Sequence, residues 1–377
     1  MPRTSDPDPD PDEDDLDTIP PPRPVFYAEQ ALLGALLLEP RRLDDVTDIG
    51  PDAFSTAVHA AVFAAIRSLP TPVPAQHAEN VKWLDAVLSS AREQTRGLNA
   101  AYLHTLIQMC PWPRHASAYA EMVEADHARR TLRTHAQRLA QTATDPTLPH
   151  PVETALAEAA ALSGLLEALS ARFRPHPNSL PRTPSLAPVN APQVHEEAMD
   201  EERLLLATAT AHPAEVEQMR WLTADDLTLP LHAGLWRCLT SLSRRAAPVD
   251  PVTVLWEAQR NGLLTAGAEP ADIISLLTAG AGSPQYWGER ILQRALLATA
   301  HETGRRIEAY TDDPATTPYQ LVTGSRRALA DLNALRTRWH HSTSPTPPSS
   351  RPPRPQLSAP PRAGPPRTAM ATSRIPR

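Results

Sequence analysis

The sequence predicts an all-α protein made of two tandem small helical bundles, and three observations support this prediction. Apolar residues recur at helical spacing, as in His59, Val62, Phe63 and Ile66 at positions i, i+3, i+4 and i+7. No run of alternating β-branched residues, which is typical of strands, is evident. The same ordered set of residues occurs twice, at an offset of about 170 residues, which indicates an internal repeat.

Proline defines the domain boundaries. The chain has 377 residues, of which 43 are proline and 13 are glycine, and most of the prolines fall in three short segments. These segments predict a disordered acidic tail over 1–24, a Pro-rich linker over 173–193 and a disordered basic tail over 341–377. Between them lie two blocks, 25–172 and 194–340, each long enough for its own core and each predicted to end in a linker-type helix.

The two blocks match each other in order. Residues 49–69 align with 222–242 at an offset of 173, and farther on the offset falls to 168, where Tyr119 pairs with Trp287. Such a drift is typical of changes in loop length between copies. At the start of the blocks, the alignment sets Glu29-Gln30 opposite Glu201-Glu202 and Gly34 opposite Leu206.

Helix boundaries follow from prolines, caps and stop signals. In the second block, Pro230 favours a helix start, Asp250-Pro251 is a cap followed by a first-turn proline, and Asn261-Gly262 is a stop. Within the first long helix, Asp126 is placed to pair with Arg129 and Arg130. The longer helices are expected at about 115–142, 151–172, 285–310 and 317–340.

Several classes of protein are disfavoured by single residue types. The one lysine, Lys82, does not follow a glycine-rich loop, and no GxGxxG turn is present, so no nucleotide site is expected. Cys110 and Cys238 form no CxxC motif, which excludes a disulfide framework and suits a cytoplasmic protein. No signal peptide and no apolar run of about 18 residues is evident, so no contact with a membrane is predicted.

Charge is separated along the chain. The net charge is −7, yet residues 1–24 carry eight acids and two arginines, whereas 341–377 carry six arginines and no acid. The part between is mildly acidic, which argues against a broad phosphate-binding surface. The basic segment has three possible roles. It could contact DNA weakly and nonspecifically, present a Pro-rich ligand to a partner, or only keep the chain soluble. Its candidate nucleic-acid contacts are Arg351, Arg354, Arg362 and Arg367.

Candidate core or interface residues occupy equivalent positions in the two blocks. They are Phe54, His59 and Phe63 in the first block and Leu227, His232 and Trp236 in the second. A metal-binding role for the histidines would need carboxylate or histidine neighbours at ligand spacing, and none is evident in the sequence. For Phe63 and Trp236, the alternative to a place in the core is stacking on the bases of a nucleic acid. No catalytic set, cofactor site or metal site is predicted.

The arginines of the first long helix have two interpretations. Because acids share that helix, we expect an internally paired, solvated face, with contact to nucleic acid as the alternative. The arginines concerned are Arg129, Arg130, Arg133 and Arg138, and Arg305-Arg306 are interpreted in the same way.

An ordered set of short motifs carries a family resemblance. The first block opens with an apolar helix over 28–40, followed by Phe54 and, five residues later, His59. The second block has a Val-Asp-x-x-Thr-Val helix over 249–255 that leads to Asn-Gly-Leu-Leu at 261–264, a pattern that is poor in the first block around 73–92. Tyr-Leu-x-x-Leu at 102–106 and Tyr-Ala-x-x-Val at 119–123 follow in the first block. In this order, the motifs resemble the N-terminal domain of DnaB-type replicative helicases.

The resemblance implies protein contacts rather than catalysis, because in that family the domain pairs with copies of itself in the hexamer collar and binds primase. The RecA-type ATPase of the family is not expected here, since the P-loop lysine is missing. The predicted function is a non-catalytic replication-associated adaptor or modulator that binds a replicative helicase, a primase or both, with self-association left open. The alternatives are a nucleic-acid-associated factor acting through its Arg/Pro tail and a decayed helicase paralogue.

Overall fold

The computed structural model describes residues 23–74, 77, 81–174, 196–264, 269–280 and 282–344. Over these residues the chain is all-α, with no strand, which confirms the predicted fold class. Most of the predicted tails and linker lies outside the described residues.

The first repeat consists of a globular part and a pair of long helices. Its helices are α1 (Pro24–Leu38), α2 (Ala57–Ser68), α3 (Lys82–Gln94), α4 (Ala100–Gln108), α5 (Ala116–Thr144) and α6 (Pro151–Arg172). Short 3-10 turns lie at Pro40–Val46, Pro51–Ala53 and Pro113–His115. We call residues 24–115 the first head and α5 with α6 the first hairpin.

The second repeat has the same order of main helices, with a short α-helix where the first repeat has the 3-10 turn Pro40–Val46. Its helices are α7 (Glu196–Ala211), α8 (Pro213–Val216), α9 (Pro230–Arg244), α10 (Pro251–Arg260), α11 (Pro270–Thr278), α12 (Pro284–Asp312) and α13 (Pro318–Thr343). A 3-10 turn lies at Ala224–Asp226. Residues 196–283 form the second head, and α12 with α13 form the second hairpin.

Local sequence explains where the helices begin and end. Proline occupies the first turn of several helices, where its missing N–H would lack an intrahelical partner in any case. The Asp250 carboxylate caps α10 by accepting the N–H groups of Val252 at 2.8 Å and Thr253 at 3.0 Å. Helices α5 and α12 end before the Asp-Pro pairs Asp145-Pro146 and Asp313-Pro314. The helical conformation is sterically disfavoured for a residue that precedes a proline.

The structure corrects the alignment of the first helices by one residue. Glu29 and Glu202 make the same contacts in the two repeats, as described below, so the offset at α1 and α7 is 173. Glu201 is therefore not the equivalent of Glu29, and Ala207 rather than Leu206 stands opposite Gly34. The sequence prediction was wrong here because a slip of one position in a run of Leu and Ala leaves apolar residues facing apolar residues.

The side chain opposite Gly34 or Ala207 changes in size in the opposite sense between the two heads. A Cβ on Gly34 would lie 2.1 Å from the carbonyl oxygen of Leu106 and 2.9 Å from the Cβ of Cys110. In the second head the same contact has Ala207 on the helix, and a Cβ on Gly280 would lie 3.0 Å from the Ala207 backbone. The small residue thus lies on the helix in the first head and on the facing loop in the second, and in both heads it permits a close approach of the two segments.

Buried side chains form two separate apolar cores. The first lies within the first head and includes Leu32, Leu36, Phe63 and Leu106 together with the start of α5. The second joins the first hairpin, the second hairpin and the second head in one continuous cluster. Apart from the start of α5, which packs in the first core, the hairpins therefore share their core with the second head.

Helix α6 bears on the expectation that the chain does not contact a membrane. By length and composition alone it is apolar enough to cross one. One face of α6 is buried in the shared core, and the residues on that face are Val152, Ala155, Ala159, Leu162 and Leu166. Burial of this face accounts for part of the apolar character of α6, since 22% of its most apolar 18-residue window is buried.

Candidate interaction site at the paired hairpins

The long helices of the two repeats pack against each other in antiparallel orientation. The Gln137 side chain donates a hydrogen bond to Glu308 at 2.8 Å, and the Nδ1 atom of His301 lies 3.2 Å from the carbonyl oxygen of Ala140. Along the contact, the residue numbers of α5 rise while those of their partners on α12 fall, so the two helices run antiparallel. The equivalent residues Ala136 and Gly304 meet at the middle of the contact, so the hairpins are related by an approximate twofold axis.

Glycine permits the close approach at this axis. A Cβ on Gly304 would lie 2.6 Å from the Ala136 carbonyl oxygen and 2.8 Å from the Cβ of Ala140. Glycine in the middle of a helix usually costs stability, because it has more conformational freedom to lose on folding. Its presence in the 29-residue helix α12 is explained by the backbone of α5, which leaves no room for a side chain.

One arginine of the first hairpin binds the end of α12. The Arg129 guanidinium donates to the carbonyl oxygens of Thr311 at 3.1 Å, Asp313 at 2.7 Å and Thr316 at 2.5 Å. These carbonyls lie at a helix C-terminus, where backbone acceptors lack intrahelical partners and carry partial negative charge. Burial lowers the pKa of Arg129 from its ordinary value. The equivalent residue of α12 is Leu297, so this contact is made once.

A second arginine pairs with acids across the contact. Arg133 Nη1 lies 2.7 Å from Asp312, and its Nη2 atom lies 3.8 Å from Glu308. The equivalents of these two acids in the first hairpin are Thr144 and Ala140, which offer no carboxylate. The first hairpin therefore supplies cations at this contact and the second supplies anions.

These contacts correct the predicted arginine face. Arg130 pairs with Asp126 at 2.8 Å as expected, but Arg129 does not join it and binds the other repeat instead, as does Arg133. The sequence could not reveal this, because the carbonyl partners of Arg129 lie more than 180 residues away in the chain. Arg305 and Arg306 pair within α12, with Glu308 and Glu302 respectively.

Each hairpin is also anchored to its own head by an arginine of its last helix. Arg172 binds Glu124 and donates to the carbonyl oxygen of Asp48 at 3.3 Å. Arg338 binds Asp226 at 2.5 and 2.9 Å and donates to the carbonyl of Trp221, the equivalent of Asp48, at 3.2 Å. The heads are thereby held in place at the ends of the paired hairpins.

Inside each head, a buried glutamate joins the first helix to the second. Glu29 accepts the Ser55 N–H at 2.6 Å and lies 2.5 Å from Nδ1 of His59, whose Nε2 atom lies 2.7 Å from the Tyr102 hydroxyl. In the second head, Glu202 accepts the N–H of Thr228 at 2.6 Å and lies 2.8 Å from Nδ1 of His232. Both glutamates are fully buried.

The environment of Glu202 favours its charged form. Burial alone would raise the pKa of this carboxyl, but the hydrogen bonds from His232 and from the Thr228 backbone lower it, and the resulting pKa lies below the ordinary value. Arg294 contributes a further contact at 3.0 Å. The sequence shows no acidic residue at ligand spacing from either histidine, because each partner glutamate precedes its histidine by 30 residues. The repeated Glu–His spacing at the corrected offset was the available signal.

The six predicted core or interface residues lie in the two heads. Phe54 packs on Phe63, with ring centroids 4.9 Å apart, and Trp236 donates to the Leu222 carbonyl oxygen at 3.4 Å. All six are buried: Phe54, His59, Phe63, Leu227, His232 and Trp236. The tail arginines Arg351, Arg354, Arg362 and Arg367 lie outside the described residues.

The arrangement does not point to metal or thiol chemistry. Among the described residues, no group of three or more His, Cys, Asp or Glu side chains could hold a metal ion. Both cysteines are buried free thiols, and burial raises the pKa of each, which disfavours the reactive thiolate. What the site does is hold two helical hairpins together.

Comparison with known proteins agrees with the duplicated architecture. The model of the DnaB-like helicase N terminal domain matches residues 22–125 and, a second time, residues 194–287. Each match covers one head and the beginning of the long helix that follows it. No curated protein and no solved structure matches the chain.

Proposed function

The chain belongs to the DnaB-like helicase N terminal domain family, and from this membership we propose that it is a replication-associated adaptor or modulator that binds a replicative helicase, a primase or both. The match includes the N-terminal domain in two copies and does not include the ATPase domain of a helicase. We propose that the chain acts without catalysis of its own.

The observation that carries this proposal is the match of the family model in two copies. The pairing of the two hairpins within one chain indicates where a partner would bind. In a protein with a single copy of the domain, the hairpin would be available to another subunit. Here Arg129, Gly304 and the shared core already occupy the facing surfaces of both hairpins. A partner is therefore expected to contact the heads, which lie at the two ends of the paired helices.

Affinity capture tests the choice of partner. The tagged full chain is recovered from the lysate of its host, and co-purifying proteins are identified by mass spectrometry after nuclease treatment. Enrichment of the replicative helicase or primase over a tag-only control would support the proposal. Loss of every enriched protein on nuclease treatment would contradict it.

An ATPase assay tests the non-catalytic part. The purified chain is expected to hydrolyse ATP no faster than a buffer control. Hydrolysis needs a P-loop, which positions a lysine and backbone N–H groups around the phosphates, and the one lysine of the chain does not follow a glycine-rich loop. Hydrolysis that co-elutes with the chain through two further purification steps would contradict this part of the proposal.

The alternative function depends on the basic segment 341–377, which carries six arginines and no acid. If the chain acted by binding DNA through this tail, deletion of the segment would abolish salt-sensitive DNA binding. The adaptor function predicts instead that the deletion leaves capture of the helicase or primase unchanged. The two proposals thus differ in the outcome of a single truncation.

A further inference from the structure

An apolar groove lies on the second head, away from the hairpin contact. It is formed by the end of α9, the loop that follows and one face of α10, and it has a volume of about 480 Å³. Its apolar lining comprises Leu242, Ala247, Pro248, Val252 and Trp256. Val252 and Trp256 are each 64% exposed, which is a large fraction for adjacent apolar side chains on one helix.

The fold does not require these apolar residues. Helices α10 and α3 can be aligned by their buried residues, because Val254 and Ala258 of α10 are buried in the same way as Val87 and Ala91 of α3. At this alignment, Val252 and Trp256 correspond to Asp85 and Ser89, both exposed polar residues. The first head therefore folds with a polar face where the second head has the groove.

The rim of the groove has an excess of positive charge. Arg245 and Arg260 share one carboxylate, that of Glu257, at 3.0 and 3.7 Å. Arg244, which does not line the groove itself but precedes Arg245, is exposed. The Asp250 carboxylate, at the start of α10, is engaged by backbone N–H groups. The groove thus combines aliphatic and aromatic contacts with two guanidinium groups that share one carboxylate, which suits an acidic segment that carries an aliphatic anchor.

We propose that this groove binds the acidic N-terminal segment of a second copy of the chain. Residues 12–22, Asp-Glu-Asp-Asp-Leu-Asp-Thr-Ile-Pro-Pro-Pro, contain five acids and two aliphatic residues, Leu16 and Ile19. The acids face the arginines of the rim, and the aliphatic side chains occupy the groove beside Trp256. No other part of residues 1–24 combines acids with aliphatic side chains in this way.

Chain length favours a second copy over the same chain. From Leu16 to Arg23, the first described residue, a fully extended chain spans at most ~25 Å. The first and second heads lie at opposite ends of antiparallel helices, each of 29 residues and so about 44 Å long, which overlap through their C-terminal halves. The segment begins at the first head and the groove lies on the second, so the segment reaches the groove of another molecule.

A peptide of residues 6–22 provides the direct test. It is labelled with a fluorophore and titrated by anisotropy, at low salt, into a chain from which residues 1–22 have been deleted. We expect saturable binding that weakens at least tenfold in Trp256→Ser, which installs the residue of the first head. Trp112→Ser is the matched control, because Trp112 is another exposed tryptophan, at 55%, and lies beneath the Arg114 guanidinium. It should change the affinity less than twofold.

Light scattering on the full chain then tests the second copy. The average mass is expected to rise with protein concentration at low salt, and to return to that of a monomer after deletion of residues 1–22 or in Trp256→Ser. Absence of peptide binding, or binding that Trp256→Ser leaves unchanged, would overturn the proposal. A full chain that stays monomeric at every concentration while the peptide binds would overturn it as well. None of these outcomes depends on whether a helicase or primase is the partner.

Discussion

At the scale of single residues, Glu202 is the clearest determinant of stability. It is buried, and its lowered pKa means that the folded state holds the carboxylate charged at pH values where the unfolded chain binds a proton. The stability it contributes is fully present above the ordinary pKa of a glutamate, about 4.3, and is lost as the pH falls through the lower pKa of the folded state.

We therefore predict that Glu202→Gln lowers the free energy of unfolding by about 2 kcal/mol at pH 7, since hydrogen bonds to a charged group are lost. The difference from the unmodified chain should shrink as the pH falls below about 4.3 and through the lower pKa of the folded state, because both side chains are then neutral. Urea denaturation at several pH values measures this. Glu217→Gln, at an exposed position, serves as the control and should have little effect at any pH. An effect of Glu202→Gln that stays constant with pH would contradict the prediction.

Two glycines allow a second residue-scale prediction, because they lie inside helices but in different surroundings. Gly304→Ala should destabilise the chain, since the new Cβ would lie 2.6 Å from a backbone oxygen of α5. Gly164→Ala on α6 should stabilise it by about 0.5–1 kcal/mol, since nothing lies within 4 Å of that Cβ and alanine is the better helix former. Thermal unfolding of both variants measures the two signs. A stabilising Gly304→Ala would show that the hairpins are not in close contact.

At the scale of elements, the pairing of the hairpins depends on charges that differ between the repeats. Arg133→Glu would place an acid beside Asp312 and Glu308. Arg133 is partly exposed, so solvent screens its charge. We therefore expect the free energy of association of the two repeats to weaken by about 1 kcal/mol, or roughly fivefold in affinity. Asp312→Arg, added to Arg133→Glu, should recover part of the loss because it restores opposite charges.

The measurement needs the two repeats to be separable. A protease site introduced between residues 175 and 195 allows the linker to be cut after folding, and the association of the halves is then followed by size-exclusion chromatography at low protein concentration. Asp312→Arg is also measured alone. If the effects of the two single substitutions add up to that of the double substitution, Arg133 and Asp312 do not interact.

The limits of sequence-based prediction also appear at this scale. Helix positions followed from prolines, from the Asp250 cap and from Asp-Pro pairs, because these signals act within a few residues. The Glu29–His59 pair and the carbonyl contacts of Arg129 were not predicted, because they depend on residues brought together by folding. The one-residue error at Glu201 arose because Leu- and Ala-rich helices tolerate a shifted alignment, whereas the contacts of Glu202 do not.

At the scale of the whole molecule, the two repeats are similar in sequence but unequal in their share of the core. The first head forms a cluster with only the start of α5, while the second head is continuous with both hairpins. The chain is therefore expected to unfold in two steps, with the hairpins lost together with the second head. Cooperative units of this kind follow contiguous packing rather than sequence boundaries.

Equivalent leucines test this asymmetry. Leu32 and Leu205 occupy the same position in the two repeats, and both are fully buried, so Leu→Ala at either should cost about 2–5 kcal/mol locally. Leu205→Ala should reduce the hydrogen-exchange protection of α12 and of the second half of α5, because these helices belong to its cluster. Leu32→Ala should reduce protection in the first head and leave α12 nearly unchanged. Equal loss of protection in α12 from both substitutions would show instead that the chain unfolds as one unit, with the continuous helix α5 coupling the first head to the hairpins.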